Sequence, residues 1–245
     1  MNIPAEFDEI RPYTPEELPQ IFDELLADPA FQAVISLIMP GMPLDMLSHK
    51  LHQCKNNLEV QKTIFYPLLH QIIKEHSDGF TLNASSLTDK EKNYTFISNH
   101  RDIVLDPGFL SLGLLDNHFP TTVEIAIGDN LLIYPWIKKL VRVNKSFIVQ
   151  RALSMRQMLL SSARMSRYIH FAITQKKENV WIAQREGRAK DSNDRTQESV
   201  LKMLALGSTG DIIDYLKELN IVPTSISYEY DPCDFLKAKE MQQTR

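Results

Sequence analysis

Glycine is scarce, with 8 in 245 residues, and no cluster of glycines forms a phosphate-cradling loop. Cysteine is scarcer: Cys54 and Cys233 cannot build a disulfide framework and suit a reducing compartment. No cysteines stand at metal-ligand spacing, so no metal site is expected. Long hydrophobic runs are missing as well. The longest, Ala33 to Met39, is broken by Ser36 and falls far short of the roughly 20 residues that span a bilayer. The first residues lack the basic start and apolar core of a signal peptide, which sets the expectation of a cytoplasmic protein. There is no internal repeat and no low-complexity tract. The remaining composition, 43% hydrophobic and 24% charged, is that of a globular chain able to bury a core.

The net charge of −4 hides an asymmetry. Between Lys138 and Arg195 stand 14 basic and 4 acidic residues, a surplus of +10, while the rest of the chain carries −14. A basic middle segment points to an anionic ligand, although a solvated helix face would give the same count. Residues 1–60 are acidic, with 3 basic and 10 acidic side chains, which argues against that stretch docking to anionic lipid by charge.

Residues 1–82 read as a helical subdomain. Thr14 and Pro15-Glu16-Glu17 mark a helix start. Ala30 to Met39 and Val60 to His76 carry apolar residues at helical spacing, and Pro67 predicts a kink. From about Asn83 the period changes. Short β-rich runs at Tyr94–Ser98, Val123–Ile127, Ser146–Gln150, Val180–Ala183 and Ile221–Ser227 alternate with helical stretches at Leu105–Asp116, Leu131–Val141, Ser154–Gln175 and Gln197–Leu219. That alternation predicts an α/β domain over 83–245, with a central mostly parallel or mixed sheet flanked by helices. Residues 231–243 read as a helix start.

The chemistry concentrates where a strand, Phe96-Ile97-Ser98, runs into Asn99-His100-Arg101-Asp102 and then Asp106-Pro107. Sites in open α/β sheets lie beyond the C-terminal ends of strands, where His100 falls. A histidine there can act as a general base, with a carboxylate on its other ring nitrogen fixing the tautomer. A helix-capping role for the same residues is the plain alternative. His100-Arg101-Asp102 also spells the start of a protein-kinase catalytic loop, but position 107, where the magnesium-binding Asn belongs, is Pro107.

Three further blocks follow in order: Phe147-Ile148-Val149-Gln150-Arg151, then Trp181-Ile182-Ala183-Gln184-Arg185-Glu186-Gly187-Arg188, then Ile221-Val222-Pro223. With the His100 block they resemble the glycerolipid acyltransferase superfamily, which includes glycerol-3-phosphate and 1-acylglycerol-3-phosphate acyltransferases. The resemblance spans 94–227. It implies direct transfer of a fatty acyl group from an acyl thioester to a hydroxyl of glycerol phosphate, a lysophospholipid or a related lyso-lipid. In that reading His100 is the base, Asp106 orients it, and backbone N–H groups support the oxyanion. Arg151, Glu186, Gly187 and Arg188 match the acceptor-binding blocks, with Arg185 a possible substitute.

The resemblance further implies no resident cofactor, with acyl-carrier protein or coenzyme A thioester as co-substrate and partner. It implies peripheral contact with a membrane carrying the lipid acceptor, at the inner membrane surface, and no nucleic-acid partner. The sequence departs from the pattern in three places. His100 and Asp106 are six positions apart instead of five, which on an ideal helix turns the side chain by about 100° and makes Asp102 the fallback partner. Val149-Gln150 precedes Arg151 where an acidic residue often stands. The third block has lost its aromatic-proline lead and carries Arg188 in place of threonine or serine. A non-catalytic lipid- or acyl-carrier-binding module and an acyl-thioester hydrolase stand as the alternatives.

Overall fold

A computed structural model describes residues 2–151, 154–191 and 193–243. The chain has an α/β fold with a mostly parallel sheet flanked by helices, and an N-terminal helical region. The described residues divide into two compact units: one holds Asn2, 82–126, 154–191 and 193–243, the other 3–81 and 127–151.

The first unit contains the parallel strands expected from the sequence. They are β1 (Thr95–Ser98), β2 (Val123–Gly128, its first four residues in this unit), β4 (Asn179–Ala183) and β5 (Ile221–Thr224). Their order is β2-β4-β1-β5, and every pairing is parallel. Ser98 stands opposite Ala183 on one side and Thr224 on the other, so all three strands end together. β1 is buried along its whole length, as a central parallel strand covered on both faces requires. Phe96, Leu110, Leu114, Val123 and Trp181 form one apolar cluster, with α6 (Leu105–Asp116) supplying the two leucines. Burying a side chain of this size contributes about 1.5–3 kcal/mol.

Helix α8 (Met155–Phe171) opens with a full capping box between Ser154 and Gln157 and ends in a π turn, Ala172–Lys176. Buried within this unit, Glu124 accepts from Tyr168 Oη at 2.5 Å and from Lys176 Nζ, so its charge is paired.

Two expectations for this unit change. The single helix expected over 197–219 is two, α9 (Glu198–Ala205) and α10 (Ile212–Glu218). The break falls at Gly207, whose backbone N–H donates to Ser166 Oγ at 2.9 Å; a Cβ there would meet that oxygen at 2.8 Å and Tyr215 Oη at 2.4 Å. Only glycine permits that approach. β5 ends at Thr224 instead of Ser227, and the residues that leave the sheet reach the candidate site described below. A last helix, α11 (Asp234–Gln243), follows.

The second unit is built on α1 (Leu18–Leu26), α2 (Pro29–Ile38), α3 (Leu44–Gln53) and a long helix made of α4 (Asn57–Val60), a π turn (Gln61–Phe65) and α5 (Tyr66–His76). It also holds α7 (Pro135–Val143) and β3 (Ser146–Val149). The irregularity expected at Pro67 is that π turn: proline has no N–H to give to the preceding turn, and the ladder shifts by one residue just before it. Leu18, Phe22, Leu25, Phe31, Leu47 and Leu51 make the core of this unit. Arg142 is buried, donates to the carbonyls of Arg11 and Asp8, and stacks on Tyr13 at 4.1 Å. Among the described residues, no helix is long and apolar enough to cross a membrane.

Candidate active site

The parallel register dictates the location. β1 ends at Ser98, and the chain turns through Asn99–Val104 before α6 begins. That turn takes up the additional residue between His100 and Asp106. His100 Nδ1 lies 3.0 Å from Asp106 Oδ2. Asp106 sits in the first turn of α6, fully buried, where the helix dipole favours a negative charge. Its Oδ2 also accepts the backbone N–H groups of Arg101 at 2.7 Å and Asp102 at 2.9 Å. Its Oδ1 accepts the hydroxyl of Tyr228 at 2.8 Å. Four hydrogen-bond partners around one carboxylate fix its position.

Asp102 does something else. Its Oδ1 accepts from the N–H groups of Val104 at 2.9 Å and Leu105 at 2.8 Å, so it caps α6 and does not partner His100. Asp102→Ala is therefore expected to lower stability by about 1 kcal/mol, the ordinary value of a lost N-cap. Urea unfolding checks the stability, and the His100–Asp106 distance in a structure of the variant should be unchanged.

His100 is buried, and its imidazole is walled by Trp181, whose ring meets it edge-on at 5.6 Å. Trp181 Nε1 donates to Ser98 Oγ at 2.9 Å, which fixes the indole. The backbone of His100 is held from both sides: its N–H donates to Asp194 Oδ2 at 2.9 Å, and its carbonyl accepts from Ala189 N–H at 2.7 Å. With Nδ1 committed to Asp106, Nε2 is the nitrogen left for a substrate.

The Ala189 bond ties the third block to the first. β4 runs parallel to β1, so Gln184–Ala189 leaves the sheet at the end where His100 lies. Gln184 N–H donates to the Ser98 carbonyl at 2.7 Å, continuing the pairing one residue further. Gly187 has φ +69°, a left-handed turn between Glu186 and Arg188 with open space where a side chain would be. Glu186 is exposed and its N–H donates to Gln197 Oε1 at 2.9 Å. Arg188 is half-buried. The carboxyl of Glu240 in α11 is held below its usual range, first by a hydrogen bond from Lys190 and further by the Arg188 charge. Arg185 donates to the Asn193 carbonyl at 3.2 Å.

Arg151 lies in the second unit, just after β3. Its backbone N–H donates to Asp129 Oδ1 at 3.1 Å, and its guanidinium lies over Gly128, where a Cβ would approach Nε to 2.8 Å. The glycine makes room for the arginine.

Tyr228, Asp231 and Lys237 form part of the site's support and carry no motif signal. Burial pushes the Tyr228 phenol well above its usual range, and the negative charge of Asp106 adds to that, so it stays a neutral donor. Arg101 Nε donates to Asp231 Oδ1 at 2.7 Å, and the buried Lys237 ammonium bridges Asp231 Oδ2 at 2.5 Å and the Arg101 carbonyl at 2.7 Å. Burial raises the Asp231 carboxyl, but the hydrogen bonds from Arg101 and Lys237 outweigh it and hold the group low. Asn99 exchanges two hydrogen bonds with the backbone of Ile226, at 2.8 and 2.7 Å, anchoring the segment after β5 to the Asn99–Val104 turn.

No curated protein matches the chain. A family model described as acyltransferase matches residues 71–226, well over half of the sequence and all four blocks from His100 to Pro223. The chain belongs to the acyltransferase family.

Proposed function

We propose that the protein is a glycerolipid-type O-acyltransferase: it moves a fatty acyl group from an acyl-carrier-protein or coenzyme A thioester onto a hydroxyl of glycerol phosphate, a lysophospholipid or a related lyso-lipid. The observation that carries this reading is the buried His100–Asp106 pair at 3.0 Å. His100 Nε2 takes the proton of the acceptor hydroxyl as its oxygen attacks the thioester carbonyl. The tetrahedral intermediate collapses, the C–S bond breaks, and the leaving thiolate takes the proton back from His100. Asp106 holds the ring in the tautomer with the proton on Nδ1 and stabilises the imidazolium that forms. This chemistry needs no resident cofactor.

Arg188 is proposed to hold the anionic part of the acceptor, with Glu186 and Gly187 shaping the turn that presents it; Arg151 is proposed as an acceptor-binding residue on the motif it matches alone. A guanidinium binds two oxygens of a phosphate or carboxylate at once, whereas an ammonium is a point charge. Arg188→Lys keeps the charge and loses the fork. It is expected to raise the KM for an anionic acceptor by roughly 10- to 150-fold, the equivalent of about 1.5–3 kcal/mol for a charged hydrogen bond. Steady-state kinetics in which acceptor KM is unchanged would remove Arg188 from the acceptor site.

The basic segment 138–195 suits the acidic carrier protein, the diphosphate of coenzyme A and an anionic headgroup alike. Contact with a lipid surface is supported by the first two turns of α8, where Met155, Met158, Leu159 and Leu160 are exposed beside Arg156. The test of the whole reading is a transfer assay with the purified chain, an acyl thioester, and each acceptor in turn. An acyl ester that forms only when a hydroxyl acceptor is present supports transfer. Free fatty acid formed without an acceptor marks a hydrolase, and no turnover with either donor marks a binding module.

A further inference from the structure

The family match ends at residue 226, yet the carboxylate of the His100–Asp106 pair receives a side chain from beyond that point. We propose that Tyr228 is a positioning residue that sets the basicity of the His100–Asp106 pair through its hydrogen bond to Asp106 Oδ1, and that the segment 226–237 holds it in place. This inference rests on the reading of His100 as the base.

The argument starts from the two oxygens of Asp106. Oδ2 accepts three donors, from Arg101 N, Asp102 N and His100 Nδ1; on Oδ1 stands the Tyr228 hydroxyl. Asp106 is fully buried, so water is excluded from supplying what Tyr228 gives. A donor on Oδ1 draws negative charge away from Oδ2 and weakens its hold on an imidazolium at Nδ1. Removing that donor concentrates charge on Oδ2, and His100 then holds a proton more tightly. The direction of the effect is fixed: without the hydroxyl, the imidazole holds its proton to higher pH.

The support for Tyr228 spans its own segment. Ile226 is bound on both backbone atoms by Asn99. Asp231 grips Arg101, and Lys237 closes the loop by donating to Asp231 and to the Arg101 carbonyl. Phe109 in α6 packs at 6.3 Å from the Tyr228 ring. The charged groups around the pair are Arg101 and Asp102 on the turn, Asp194 on the loop after β4, and Asp231 before α11. All of them remain in a Tyr228→Phe variant, so its effect isolates the hydroxyl.

The experiment is an NMR titration of the imidazole of His100 in the full chain, assigned among the seven histidines by the signal lost in His100→Gln. Tyr228→Phe is expected to raise the His100 pKa by on the order of one unit. The acid limb of the kcat/KM profile should move up with it, and at a given pH on that limb kcat should fall roughly three- to tenfold with KM unchanged. Replacing Tyr228 by a ring-fluorinated tyrosine, a stronger donor of the same shape, should shift the His100 pKa the opposite way. A His100 pKa that is the same in all three proteins overturns the proposal. The titration needs no turnover. Opposite shifts in a protein without transferase activity would support the role of Tyr228 while refuting acyl transfer.

Discussion

His100→Ala is expected to lower kcat by about 10²–10⁴ while leaving the fold intact, the usual range for losing a general base. The reason is that His100 contributes little to the packing it sits in. Its backbone makes the bonds that hold the turn, to Asp194 and Ala189, and these survive the substitution. What the ring supplies is one hydrogen bond to Asp106 and an edge contact with Trp181. Three donors remain on the Asp106 carboxylate, so its charge stays compensated. Thermal melting close to wild type with residual turnover below one per cent is the expected pair of results. A variant that melts like wild type and keeps most of its turnover would take His100 out of the reaction.

Asp106→Asn should also disable catalysis, and the geometry says how. The two backbone N–H groups of Arg101 and Asp102 both point at the Oδ2 position, so an asparagine must place its carbonyl oxygen there; the flipped amide would set donor against donor. The Nδ1–H tautomer of His100 is therefore kept, and the amide nitrogen lands where Oδ1 was. The Tyr228 hydroxyl can rotate to accept from it. What is lost is the negative charge facing the imidazolium. Turnover should fall on the order of 10²-fold with little change in stability. Asp106→Ala leaves buried donors without an acceptor, each costing about 1–3 kcal/mol, so that variant should be markedly destabilised as well. Kinetics and chemical denaturation of both variants separate the two effects. Wild-type turnover in a folded Asp106→Asn protein would contradict the assignment.

The legible part of the site was the part made by neighbours in sequence. A strand, a polar turn with His100 and a carboxylate at the next helix start can be read locally, because a turn of six residues can bring its own ends together. The spacing of six raised a conflict that helix geometry alone could not resolve. The turn resolves it by using Asp102 as the cap of α6 and delaying the helix until Leu105. Tyr228 stands 122 positions from Asp106, Asp194 stands 94 from His100, and Lys237 stands 136 from Arg101. Nothing in composition or period marks residues that meet only after the sheet has formed.

The same distinction holds for the fold. The alternation of strand and helix was visible because each element carries its own periodicity. The break between α9 and α10 was not, because it depends on Gly207 meeting Ser166 across 41 positions. β5 was read too long because Ser225–Ser227 follow a β-rich run without a turn residue to end it. That stretch instead leaves the sheet, where Asn99 binds Ile226 and brings Tyr228 to Asp106.

The central claim, that His100 drives transfer of an acyl chain to a lipid hydroxyl, is tested most directly by lipid mass spectrometry. Cells overproducing the wild-type chain are compared with cells overproducing His100→Ala at equal protein level. The account predicts that only the wild type accumulates a lipid species carrying one more ester-linked acyl chain, with its precursor depleted. Identical lipid profiles in the two strains, or a rise in free fatty acid without any new ester, would contradict it.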